Sequence, residues 1–174
     1  MNWQLRPLDP RDRDALIAVY RDAVLSQTPG LYNPEQVRAW AGHADAGVGA
    51  YVLAGLERGY GLASLGASET STSKTITSKT TIEAFGLLDP PAGDRCRLAL
   101  LYCRGRASRQ GRASAILAGL ELWARQRGCL QLHTEASQLS RPLLERRGWR
   151  VEREERLVFA GEPFVRWRMI KDLS

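Results

Sequence analysis

The stretch Leu98 to Gly128, LALLYCRGRASRQGRASAILAGLELWARQRG, leaves the chain few ways to fold. It opens with an apolar run of strand length, Leu98 to Cys103. A basic loop with two glycines follows, Arg104 to Gly111. Then Ile116, Leu117, Leu120, Trp123 and Ala124 recur at the spacing of one helical face. A strand, a basic glycine-bearing turn and a helix together make a phosphate-binding arrangement. The first helical turn carries N–H groups with no intrahelical partner, at the positive end of the helix dipole. Gly111, Ala113, Ser114 and Ala115 are small enough for an anion to approach that backbone, and Arg109 and Arg112 add charge. The competing reading of the same residues is a plain strand–loop–helix crossover with a solvated arginine-rich loop.

The length of 174 residues predicts one domain, residues 1–174, with a real core. A hydrophobic share of 44% against 25% charged residues is that of a globular protein, and no apolar run reaches membrane-spanning length. The charged start MNWQLRPLDPRDRD reads as neither signal nor transit peptide. Cys96, Cys103 and Cys129 are odd in number and lack metal-ligand spacing. This predicts no disulfide framework, no metal, and a reducing, cytoplasmic setting. The net charge of +6 is carried almost wholly by arginine, lysine occurring only as Lys74, Lys79 and Lys171. No stretch interleaves dense basic charge with aromatics, so a nucleic-acid partner is not expected.

Gln4 to Pro7 predicts a first strand. Asp9-Pro10 starts a helix with the stripe Leu16, Val19, Tyr20, Ala23 and Val24, running to about Ser26. Asn33-Pro34-Glu35-Gln36 is a capping-box signature for a second helix that buries Val37, Trp40 and Ala41. Gly42 to Gly49 reads as loop, and Ala50 to Leu56 as one more helical turn. Gly59 to Leu65 and Thr80 to Leu88 predict a hairpin. The Ser/Thr-rich segment between them has β-branched residues that fit an extended hairpin, but its composition favours a mobile tip. Further strands are expected at Arg95 to Cys103, Leu130 to Ala136, Trp149 to Phe159 and Phe164 to Ile170, with a helix at Leu139 to Arg147. The order β-α-α-β-β-β-α-β-α-β-β predicts an α/β fold with a mixed, mostly antiparallel sheet and helices on both faces.

On these residues the chain resembles the GNAT superfamily of N-acetyltransferases, bacterial type, over nearly its whole length. The family pattern of strand and acetyl-CoA loop falls on Leu101-Tyr102-Cys103, then Ser108-Arg109-Gln110-Gly111-Arg112-Ala113, then Leu120-Glu121-Leu122-Trp123-Ala124. The later family pattern falls on Ser137, Ser140, Leu144, Gly148 and Trp149. The resemblance implies a GNAT-like sheet of about seven strands. It also implies direct transfer of acetyl from acetyl-CoA, as co-substrate, to an unidentified amine. Leu101, Tyr102, Cys103, Ser108, Arg109, Gln110, Gly111, Arg112, Ala113, Ser114, Ser137, Ser140 and Leu144 are the implied cofactor contacts. Gly66 to Lys79 is expected to be dispensable for them. Leu144 departs from the family, standing where many members carry a proton-donating tyrosine. That departure favours an alternative reading, a catalytically silent acetyl-CoA-binding sensor.

Acetyl transfer to an amine needs a base for the ammonium and a way to release the thiolate. Glu135 is the first candidate base and His133 the second, two apart on one strand and so on one face. Tyr102 is a candidate acid. The competing readings are an arginine partner for Glu135, a core-edge role for His133 and packing for Tyr102. An acetyl-cysteine on Cys103 is a further route, without any neighbour in the sequence to activate the thiol. In the family Tyr32, Trp40 and the turn from Phe159 to Phe164 border the acceptor, although Trp40 on its helix stripe also reads as core. Exposed edge strands in the last hairpin make a homodimer an expectation.

Overall fold

The computed structural model describes residues 3–72 and 75–173. Asp9 caps as expected, but it caps a 3-10 turn, Pro10–Asp12, from which helix α1 (Arg13–Gln27) continues. The α1 stripe of Leu16, Val19, Tyr20, Ala23 and Val24 is buried. Helix α2 (Pro34–Gly42) opens with the reciprocal capping box: Asn33 Oδ1 accepts from Gln36 N at 2.8 Å and Gln36 Oε1 from Asn33 N at 3.0 Å. Asn33→Ala is therefore expected to cost about 1 kcal/mol of stability, read as a lower midpoint in urea without a change in slope.

Between α2 and the sheet the structure is more helical than expected. Residues 44–48 form a π-helical turn and α3 spans Gly49–Arg58, ten residues where one turn was expected. Ala44 and Val48, one turn apart, are both buried in the cluster that α1 forms. Tertiary packing thus carries a segment whose glycines and missing cap hide it from local reading.

The strands are β1 (Trp3–Pro7), β2 (Tyr60–Thr72), β3 (Thr75–Leu88), β4 (Arg95–Cys103), β5 (Gln131–Ala136), β6 (Arg150–Phe159) and β7 (Glu162–Asp172). They form one seven-stranded sheet in the order β1-β2-β3-β4-β5-β7-β6, antiparallel except where β4 meets β5. Helices α4 (Arg112–Gln126) and α5 (Arg141–Arg146) cover one face, where Ile116, Leu117, Leu120 and Leu144 meet Leu98, Leu132 and Met169. Helices α1 and α2 cover the other, around Phe85.

The mobile tip expected at 66–79 is corrected. The β2–β3 ladder continues through it, from Gly66 opposite Thr81 to Thr72 opposite Thr75. A strand can be polar when its backbone groups pair with a neighbour, and Thr70, Thr72, Thr75, Ile76 and Thr77 are β-branched residues suited to it. Replacing the segment with a tight turn would remove paired strand, so a cost in stability is expected, while none of the described residues of 66–79 lines the cavity set out below.

The last hairpin turns through Ala160-Gly161, both at positive φ (50° and 87°), the backbone of a tight type I′ turn. Its outer strand, β6, is an edge of the sheet and is charged along most of its length. Arg153–Glu155 (2.8 Å), Arg166–Glu155 (2.7 Å) and Arg168–Glu152 (2.8 Å) tie that charge into β6 and β7, and the ladder carries a register shift between Val151 and Arg153.

Candidate functional site

The site begins where the sheet opens. β4 and β5 pair only over Arg95–Arg97 with Gln131–His133. Beyond that point each strand keeps its outer partner, β4 with β3 and β5 with β7, and the two part. Thr134 Oγ1 donates to Leu98 O at 2.7 Å across the start of the gap. A bulge sits at the same place: Leu87 faces Leu100 and Leu88 faces Leu98, so Ala99 is the extra residue. The bulge shifts the alternation of β4. Cys96 and Leu98 face the α4 side before it, Leu101 and Cys103 after it, and Leu100 and Tyr102 the α1–α2 side. Backbone N–H and C=O groups of residues 99–103 that point away from β3 have no strand partner.

The gap opens into a cavity of about 1170 Å³. Leu101, Tyr102 and Cys103 line it from β4; Ser108, Arg109 and residues 111–114 from the loop and α4; and Ser137, Ser140 and Leu144 from the segment after β5. Gln110 stands outside the lining, its amide accepting from Arg112 Nε at 3.3 Å and donating to Arg106 O at 3.1 Å. Gly111 is the N-cap of α4 at φ 79°, and a Cβ built on it would meet nothing within 4 Å. The left-handed turn thus exposes the first α4 N–H groups to open space.

The basic loop divides its labour. Arg106 pairs with buried Glu83 at 2.6 Å, and Gly105 N donates to Asp22 at 2.9 Å. Arg112 also turns inward: its guanidinium donates to Ser64 Oγ (2.9 Å) and Leu65 O (3.1 Å) and lies 5.5 Å from the Trp3 ring. These contacts fix the turn on β2, β3 and α1. Arg109, exposed at φ 59°, makes no ion pair among the described residues and lines the cavity. Arg146 of α5 lines the facing wall. Sequence reasoning missed Arg146 and also Gln27, whose amide donates to Cys103 O at 2.6 Å. Only the fold brings them to β4.

On the other side of the sheet a second cavity of about 280 Å³ meets the first at Trp40, Ala99, Leu100, Tyr102, Glu135 and Ser137. Two of the three candidate catalytic side chains, Glu135 and Tyr102, line both cavities. Glu135 Oε2 accepts from Arg97 Nε (2.7 Å) and Nη2 (2.6 Å), while Oε1 lies 3.8 Å from Arg168 Nη1. Tyr102 packs against Tyr20 with ring centroids 4.4 Å apart, and burial pushes its hydroxyl up to about 12. Ser137 and Ser140 bond each other's backbone, Ser137 N to Ser140 Oγ at 3.0 Å and Ser140 N to Ser137 Oγ at 3.1 Å, shaping the turn into α5.

His133 shares the face of Glu135 but lines neither cavity. Its Nδ1 is buried without a hydrogen-bond partner. Burial first, then the nearby Arg168, holds its pKa below the usual 6.5, with Glu135 opposing. Below pH 6.5 the unfolded chain takes up a proton that the folded chain refuses, so stability should fall as the solution is acidified through that range. Urea midpoints measured from pH 7 to about pH 5 should show that slope, flattened in His133→Asn.

Burial pushes the Cys103 thiol up to about 11, so an acetyl-cysteine step has almost no thiolate to start from at neutral pH. Cys96 and Cys129 are free and buried in the α4-side core with sulfurs 3.1 Å apart. Leu144 is buried in that same core and lines the first cavity. Among the described residues no group of three His, Cys, Asp or Glu side chains could hold a metal ion, and no helix is long and apolar enough to cross a membrane.

No protein-family model and no curated relative matches the sequence. Solved structures do. A GCN5-related N-acetyltransferase from Rhodopseudomonas palustris superposes with a TM-score of 0.76 at 21% identity, covering 99% of this chain and 96% of that one. The paiA N-acetyltransferase from Thermoplasma acidophilum, solved in complex with coenzyme A, gives 0.71 at 18% identity and 99% of both chains. The yncA protein of Salmonella typhimurium, solved with its cofactor acetyl-CoA, gives 0.62 at 16% identity over 100% of this chain and 95% of that one. With the parted β4–β5 strands, the bulge and the left-handed glycine at the start of α4, these superpositions establish that the chain has the GNAT fold, the fold of the GCN5-related N-acetyltransferases.

Proposed function

We propose that this protein is an N-acetyltransferase that binds acetyl-CoA in the larger cavity and acetylates a primary amine held in the smaller one. The observation that carries the reading is the junction of the two cavities at the β4 bulge, beside Glu135. The residues fit the cofactor. The left-handed turn at Gly111 leaves room for a diphosphate against the α4 N-terminus, and Arg109 and Arg146, neither of them in an ion pair among the described residues, add positive charge to the same cavity. The backbone of residues 99–102, which has no β5 partner, offers hydrogen bonds to an amide-bearing chain lying along β4.

Acetyl-CoA, when bound, supplies an acetyl thioester whose acyl carbon an amine attacks and whose thiolate leaves. Glu135 Oε1 accepts the proton of the incoming ammonium, while Arg97 fixes the carboxylate through Oε2. Backbone N–H groups near the Ala99 bulge donate to the thioester oxygen. Tyr102, which holds its proton up to about 12, is a weaker acid than a thiol of pKa near 8.5. It therefore orients rather than protonates, and the thiolate leaves unassisted and takes its proton from water. Leu144 requires the same, because it has no proton to give. Leu144 also supports a second reading, a sensor that binds acetyl-CoA without turnover.

Calorimetry with acetyl-CoA together with a thiol-release assay over a panel of amines tests both. Binding with turnover is the expected result. Binding without turnover moves the assignment to the sensor, and absence of binding overturns both.

A further inference from the structure

The smaller cavity carries information about the acceptor that the fold does not. Six aromatic rings line it: Tyr20, Tyr32, Trp40, Tyr102, Phe159 and Phe164. They fall into two groups. Phe164 lies 5.5 Å from Tyr32, 6.2 Å from Trp40 and 5.8 Å from Phe159, and Tyr102 lies 4.4 Å from Tyr20. The volume of about 280 Å³ equals about nine water molecules at ~30 Å³ each.

Two hydrogen bonds brace the elements that carry this lining. The tip of the β6–β7 hairpin is tied to α2 by Gln36 Nε2 donating to Pro163 O at 2.5 Å. The segment after β5 is tied to the α1–α2 connection by Gln138 N donating to Tyr32 Oη at 2.9 Å. The charge is wrong for a polycation. Glu135 is the one carboxylate in the lining among the described residues and it is already paired with Arg97, while the other guanidinium of the lining, Arg166, is paired with Glu155, so a polycation would find no free carboxylate there.

Resting on the acetyltransferase reading, we infer that the acceptor is a small primary amine with an aromatic or compact apolar body, and not a polyamine or an aminoglycoside. The body lies against the aromatic wall and the amine points to Glu135 at the junction with the larger cavity. An aromatic guest gains ring–ring contact beyond its buried area, and a protonated amine arriving through the cavity is attracted to the ring faces.

Phenethylamine is the probe, with spermidine, a polycation, and the tripeptide Ser-Gly-Ala, a polar amine with no aromatic body, as competitors. Each is titrated into the protein alone and into the protein with CoA, and each is then assayed for acetylation. Phenethylamine should bind and give the highest kcat/KM. Phe164→Ala should weaken its binding at least tenfold while acetyl-CoA binding stays within twofold. Phe164→Leu, which keeps a packed side chain, covers the case in which the alanine variant does not fold, and should weaken binding in the same direction. Tighter binding or faster acetylation of spermidine or the tripeptide overturns the inference, as does phenethylamine binding that neither Phe164 variant changes. If acetyl-CoA binds but phenethylamine does not, the aromatic acceptor is wrong and the acetyl-CoA reading survives. If phenethylamine binds but acetyl-CoA does not, the acetyl-transfer reading is wrong and the aromatic site stands.

Discussion

Replacing Glu135 with glutamine is expected to lower kcat by about a hundredfold or more, the lower range for loss of a general base, with acetyl-CoA affinity intact. Glutamine keeps the shape of the side chain and a hydrogen bond to Arg97, but its amide cannot accept a proton from an ammonium ion. The substitution also removes a charge from the Arg97 environment, where Asp89 remains at 3.3 Å. A fall in stability is therefore expected beside the fall in rate, and the two must be separated. Rates measured at a temperature where urea titration shows both proteins fully folded separate them. If the variant is less stable but keeps the wild-type kcat, Glu135 is a partner of Arg97 and nothing more.

Gly111→Val is expected to weaken acetyl-CoA at least tenfold, about 1.4 kcal/mol. Two effects act together. A β-branched residue at φ 79° is strained, by about 1–3 kcal/mol, and its side chain enters the space left open at the α4 N-terminus. Gly128, at the other end of α4, isolates the first effect. It has the same φ of 79° and an equally open surround, but it does not line the cavity. Gly128→Val should lower the thermal midpoint much as Gly111→Val does and leave acetyl-CoA affinity unchanged by calorimetry. Equal affinities in the two valine variants would place the diphosphate elsewhere.

What could be read from the sequence follows from the range of the forces involved. The strand, loop and helix of residues 98–128 are legible because their signals are local: an apolar run, a glycine and a helical stripe. The two capping sequences at Asp9 and Asn33 are legible for the same reason. The bulge at Ala99 is not. In LALLYC every residue is apolar, so a one-residue shift in alternation leaves no trace in the pattern. The paired hairpin at 66–79 was hidden by its polarity, because the partner strand supplies what its side chains do not. The bond between Arg97 and Glu135 joins residues 38 apart in the chain, and only the parallel register of β4 and β5 brings them together. The pairing of Glu135 and Tyr102 at the junction of two cavities is likewise a product of the shifted β4 alternation.

The charged outer strand, β6, guards one edge of the sheet. An exposed strand edge invites a second edge, and the last hairpin was a natural place to expect two chains to join. Here a docking strand would have to displace or bury carboxylates and guanidinium groups that already satisfy one another across β6 and β7, over a ladder that the irregularity at Val151 bends out of register. That guard is electrostatic, so it is strongest in dilute buffer and fades as added salt shortens the reach of each charge to about 10 Å at 0.1 M and less above it. At this edge, ionic strength therefore sets how strongly an approaching strand is opposed.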